Sequence, residues 1–177
     1  MSMTVIEHIE LASDQATIVV DNIPQTYTDL YLVFSGRTSI SDNLGYGQMT
    51  VNGSSTNWTE RVLQGNSSAA SSPSDSTPIE AFVSGNNTTA NTFGSFSLYI
   101  PNYTSSNAKS MSVDLVTENN AGGAFSAMQR IVAALWNDTD PITSIEFDAD
   151  AATNYKQYSS VTLFGITAGS DGTTIVS

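Results

Sequence analysis

The chain has 177 residues, a size at which folding buries about 70% of the surface that the unfolded chain exposes, enough for a core without staples. Seventeen acidic residues against five basic ones give a formal charge of −12 and a pI near 4.1. Arg37, Arg61, Lys109, Arg130 and Lys156 are too few and too scattered to displace counterions from phosphates, which excludes sequence-independent nucleic-acid binding and attraction to an anionic membrane.

From the N-terminus, Val5 to Leu11 alternates loosely, placing Val5, Ile9 and Leu11 on one side of a first strand that Glu7 interrupts. Ala16 to Val20 is short and β-branched. Leu30, Leu32 and Phe34 share one face of the next strand, with Tyr31 and Val33 opposite. Tyr46 to Val51 and Trp58 to Leu63 flank Asn52-Gly53, the residue pair of a tight turn, and are expected to pair as a hairpin. Gly65 to Pro78, rich in Ser, Ala and Pro, reads as a long surface loop. Phe93 to Ile100 and Met111 to Leu115 alternate apolar with polar residues. Ala121 to Arg130 has room for one helical turn, with Gly122-Gly123 against more. Ile131 to Trp136 is apolar throughout and reads as a strand buried on both faces. Thr143 to Phe147 and Ser159 to Ile166 complete about nine or ten strands, after which Gly169 to Gly172 forms a flexible spacer before a β-prone tail with Ile175 and Val176. Ser, Thr and Asn together supply 61 residues, the composition of strands with one face in water. The spacing predicts an all-β fold, a single antiparallel β-sandwich of jelly-roll type over 1–168, followed by a flexible tail, 169–177.

Without cysteine there is no disulfide and no thiolate chemistry, and the single histidine excludes multi-histidine metal sites. His8, beside Glu7 and Glu10, is expected as an edge or interface side chain rather than as the base of a catalytic triad. No nucleophile elbow, phosphate-binding glycine loop or His-Glu-x-x-His motif occurs. Asp138 and Asp140 lie in a turn-like Asn-Asp-Thr-Asp-Pro run, and Asp148 and Asp150 are spaced for one face of a strand. Such clusters can ligate calcium, form a glycosidase pair, or simply accept backbone N–H bonds in turns. Trp58, Tyr46, Tyr103 and Tyr155, in or near loops, are either platforms for a sugar ring or packing at the end of a sandwich; Trp136 reads as core. No charged-then-apolar leader opens the chain and its longest apolar run is six residues, so neither a secretory signal nor a membrane span is expected.

Asp21-Asn22-Ile23-Pro24-Gln25-Thr26-Tyr27-Thr28-Asp29-Leu30 leads into Leu32-Val33-Phe34-Ser35-Gly36-Arg37. Then come Ala90-Asn91-Thr92-Phe93-Gly94, Leu135-Trp136, Ile142-Thr143-Ser144-Ile145, Tyr158-Ser159-Ser160 and Leu163-Phe164-Gly165-Ile166. In that order and spacing the chain resembles, from about residue 16 to 167, a family of small virion structural proteins of tailed bacteriophages. The resemblance implies a β-rich particle component made in the host cytoplasm, with no catalytic residue or cofactor to carry over. Within that frame the expected role is capsid decoration: a homotrimer on the capsid surface that clamps major capsid protein subunits. Val5, Ile9 and Leu11, and the tail residues Ile175 and Val176, are expected at contacts. The alternative is a host-recognition module of a tail or head fibre, binding cell-surface glycan through Trp58.

Overall fold

The structure is a computed structural model that describes residues 2–118, 120, 125–150 and 152–168. Thirteen strands succeed one another: β1 (Ser2–Glu10), β2 (Thr17–Val20), β3 (Asp29–Gly36), β4 (Leu44–Val51), β5 (Trp58–Asn66), β6 (Ala70–Ser71), β7 (Ser74–Asp75), β8 (Ile79–Ser84), β9 (Gly94–Ile100), β10 (Lys109–Glu118), β11 (Ala127–Trp136), β12 (Ile145–Ala149) and β13 (Ser160–Thr167). No helix occurs among the described residues. The strands form two antiparallel sheets, a β-sandwich. The larger runs β1-β13-β3-β9-β10-β11-β5-β6, with β7 also beside β5; the smaller runs β2-β12-β4-β8. The chain enters the larger sheet after every strand of the smaller one, so it weaves between the layers. With nine and four strands the sandwich is bigger than the eight-stranded double sheet of a simple jelly roll.

The core follows from strict alternation. Leu30, Leu32 and Phe34 of β3, Phe96, Leu98 and Ile100 of β9, and Met111, Val113 and Leu115 of β10 all point between the sheets and are buried. Phe147 of β12 meets them from the smaller sheet, 4.7 Å from the Phe34 ring and 5.5 Å from Phe96. Each such side chain contributes about 1.5–3 kcal/mol by leaving water.

Several expectations change on this frame. The run Gly65 to Pro78 holds β6 and β7, which fold back onto β5. Strand β8 lies in a stretch not assigned from sequence, although Ile79, Ala81 and Val83 alternate with Glu80 and Phe82 there. Ala127 to Arg130 belongs to β11 rather than to a helical turn. That strand is buried on one face only: Val132 and Ala134 point inward, whereas Ile131 stays 52% exposed because no layer covers the outer face of the larger sheet.

The Asn52-Gly53 turn forms, with φ of 51° and 65° and Ser54 N–H donating to Val51 C=O at 2.9 Å. The expected hairpin does not follow, because β4 belongs to the smaller sheet and β5 to the larger. Asn52 fixes this exit. Its Oδ1 accepts the N–H groups of Thr143 and Ser144 at 2.8 and 3.2 Å, and its Nδ2 donates to Pro141 C=O at 2.9 Å. Asn52→Ala is therefore expected to cost about 2 kcal/mol in urea unfolding, since it loses these ties and a residue tolerant of the left-handed region. Asn52→Gly, which keeps the backbone freedom, should recover only the second part.

At one end of the sandwich the Asn22-to-Tyr27 segment crosses between β2 and β3. Gln25 donates to the carbonyls of Ile23 and Ile142, both at 2.9 Å, and the Tyr103 hydroxyl donates to Pro24 C=O. The Tyr27 ring lies on Gly165, where a Cβ would stand 2.3 Å from it. This cross-linking of three connections gives the segment a structural purpose of its own.

Candidate functional site

The two outer faces of the sandwich differ in chemistry. On the larger sheet, cross-strand register assembles three adjacent rows. One holds Val5, Phe164, Tyr31 and Tyr99; the next aligns Val33, Ser97, Asp114, Ile131 and Leu63; the third includes Ser35, Ser95, Val116 and Gln129. Leu63 is 61% exposed, directly opposite Ile131, and Val116 and Tyr99 are exposed near them. Charge along these rows is confined to Glu10, Asp114 and Arg61, with His8 at the edge. On the smaller sheet, by contrast, Glu146 and Asp148 of β12 lie beside Gln48 and Glu80, with Asp150 just beyond.

Strand β1 pairs with β13 alone and is an edge. Its first four residues, Ser2 to Val5, are exposed on both faces. A bulge between Val5 and Glu7 shifts the register, so the three apolar residues expected on one side are split. Val5 opposes Phe164 on the outer face, while Ile9 opposes Val161 and packs against the core, and Leu11 is buried beyond the strand. His8 is an edge residue, its Nδ1 2.8 Å from Thr162 Oγ1. Ile175 and Val176 lie outside the described residues.

The aromatic platforms are mostly absent. Trp58 is 2% exposed, stacks on Trp136 at 6.4 Å and donates its indole N–H to Ser54 C=O at 2.8 Å. The β5–β11 register, which sets Trp58 opposite Trp136, draws it into the core. Tyr103 and Tyr155 are fully buried, and burial raises both hydroxyl pKa values; Tyr46 keeps an exposed ring. Tyr103 and Tyr155 therefore offer no face to a sugar ring.

Among the described residues the candidate carboxylates are engaged in local contacts. Asp138 accepts the N–H of Asp140 at 3.0 Å, a turn contact, and Asp140 C=O accepts from the buried Lys109 ammonium at 3.0 Å. That ammonium also donates to Asn107 C=O at 2.6 Å, and burial lowers its pKa. Asp148 accepts the Thr17 hydroxyl at 2.7 Å and lines, with Asp150 and Tyr46, a cleft of about 200 Å³. Among the described residues, no three acidic or histidine side chains converge as a metal ion needs.

Burial, then the neighbouring Asp148 charge, raises the Glu146 pKa. A carboxyl with a raised folded-state pKa holds its proton more tightly folded than unfolded, so it costs stability at neutral pH and returns it as pH falls toward about 4.5. Glu146→Gln is expected to raise Tm at pH 7, with the gain vanishing near pH 4.5; thermal melts across that window check it.

Two buried arginines are treated differently. Arg130 lies between Glu60 and Glu80, at 3.3 and 3.0 Å. Arg37 is 6% exposed and is met by neutral oxygens: Thr88 Oγ1 at 2.8 Å and the carbonyls of Thr89, Thr92 and Asn86 at 3.0, 3.1 and 3.3 Å. Burial lowers its pKa as well.

No family model matches the chain, and neither a curated protein nor a solved structure does so.

Proposed function

We propose that the chain is a capsid decoration protein of a tailed bacteriophage, seated with the outer face of its larger sheet on major capsid protein. The observation that carries this reading is the scarcity of charge on that face in a chain of net charge −12. Seven strands wide and three rows deep, the patch covers about 700 Å² at roughly 4.8 Å between strands and 6.7 Å between same-face residues. A stable interface takes about 800 Å² from each partner. The face thus has the size and chemistry of a footprint, while the carboxylates of the smaller sheet are turned outward and keep decorated particles apart. The resemblance carried by Asn22 to Leu30 supports the same reading, and we read the chain's weaving between the two sheets as a jelly roll widened by the β9–β10–β11 meander and by β1 and β13. The free β1 edge is taken up by neighbouring copies in a homotrimer.

A decoration protein acts by linkage: by binding the assembled shell and not its separated subunits, it stabilises the shell. On this face apolar residues alternate with Ser and Thr, so few charges are available to pair with capsid Arg and Lys. Binding therefore survives about 0.5 M salt, at which exposed ion pairs are screened. The test is addition of purified protein to mature shells that lack it. The expected result is saturable binding and a higher shell disruption temperature. Protein that ignores shells yet blocks adsorption of phage to cells would replace decoration with host recognition.

A further inference from the structure

We infer that the end of the sandwich where β3 finishes and β9 and β13 begin holds a binding pocket for a small carboxylate-bearing sugar, with Arg37 as its charge and Tyr158 as its stacking platform. The pocket measures about 260 Å³, and Asp14, Arg37, Asn86, Asn91, Lys156 and Tyr158 are among the residues that line it. This is below the roughly 300 Å³ at which pockets for drug-sized ligands begin, so it admits one ring rather than an oligomer.

Two independent observations point to a ligand. The first is charge. Where this fold buries Arg130 it supplies two carboxylates, yet among the described residues Arg37 has no carboxylate in ion-pair range. Lys156 is a second cation on the same pocket, and the carboxylate beside it, Asp14, is neutralised by the Lys156 ammonium at 2.7 Å and the Gln157 N–H at 2.9 Å. The pocket keeps a single positive charge in a strongly acidic molecule, which selects an anion.

The second is Tyr158. Ser159 N–H donates to Lys156 C=O at 3.0 Å, closing a four-residue turn whose third residue, Tyr158, has φ of 72°. That position favours glycine, and a bulky aromatic side chain there is an outlier. Burial does not offset the strain, because Tyr158 is 61% exposed. Glycine would relieve that strain, and the exposed ring stands at the pocket opening as a platform for a ligand. Asn91, also in the left-handed region with φ of 62°, and Asn86 line the same opening. A flat aromatic face, amide groups and one buried cation match a sugar ring that bears a carboxylate.

The inference stands apart from shell docking, because the pocket lies at the strand ends and not on the sheet face. Its test is a titration of the full-length protein with D-glucuronate, D-glucose and sulfate, followed by amide shifts in NMR spectra. Glucuronate is expected to shift Gln157 and Tyr158 with a dissociation constant of about 1 mM, at least tenfold tighter than glucose or sulfate. Tyr158→Gly should weaken it by about tenfold while leaving Tm unchanged or higher, a separation that a purely structural tyrosine does not give. Asp14→Asn, which removes the carboxylate from the pocket lining, should tighten it. Equal binding of glucose or of sulfate overturns the assignment, as does a Tyr158→Gly variant that binds glucuronate like the parent or melts lower.

Discussion

Arg130→Met is expected to lower the unfolding free energy by about 3–5 kcal/mol, the largest loss any single substitution away from the apolar core should produce. Arg130 and Glu60 are each 2% exposed, and the guanidinium reaches Glu60 at 3.3 Å and Glu80 at 3.0 Å while lying 4.7 Å over the Phe82 ring. Burial outweighs the arginine in its effect on Glu60, whose pKa is raised, and the Oε2 of that carboxylate has no hydrogen-bond partner. Once the cation is gone, Glu60 is a buried charge with nothing opposite. The loss should then depend on pH with a fixed sign: largest at neutral pH, and shrinking as acidification toward about 4.5 protonates Glu60. Urea unfolding at both pH values checks it. Replacing both partners, Arg130→Met with Glu60→Leu, should restore most of the stability, because an apolar pair of similar volume leaves no charge to solvate.

The second large effect concerns docking. Ile131→Glu places a carboxylate in the middle of the charge-poor face. Since that residue is 52% exposed, stability should change by no more than about 0.5 kcal/mol. If the face is buried against the shell, the new charge is desolvated without a partner and affinity should fall about 100-fold. Val19→Glu is the control: Val19 is exposed on β2, in the smaller sheet, and the same change of charge there should leave shell binding unaltered. Equal losses from both variants would mean that binding responds to net charge and not to this face.

How much of this was legible in sequence depended on how local the cause was. The alternation in Leu30 to Phe34, Phe93 to Ile100 and Met111 to Leu115 gave strands of the right facing, because period two is a property of the strand itself. Ile131 to Trp136 misled for a physical reason: Ile131, Ala133 and Leu135 face outward yet are apolar, and composition does not separate an outward apolar residue from a core one. The Asn52-Gly53 turn was legible and its continuation was not, since the direction of β5 depends on hydrogen bonds that Asn52 accepts from Thr143 and Ser144 far along the chain. One bulge at Val5–Glu7 reversed the facing of everything before it. Trp58 was drawn inward by Trp136 on the neighbouring strand β11, six strands later in the chain. The pocket at Arg37 and Tyr158 carried almost no signal, because its lining comes from four separate connections. The one clue was an aromatic residue at a turn position that favours glycine.

The most direct measurement of the decoration reading is a density map of tailed-phage particles carrying the protein, read for its position and orientation. Decoration predicts density on the outside of the capsid, at sites spanning neighbouring major capsid subunits. The row containing Ile131 and Leu63 should face the shell, and Glu146 and Asp148 should face solvent. Density confined to the tail or fibres, or a capsid-bound copy with its acidic smaller sheet against the shell, would contradict it.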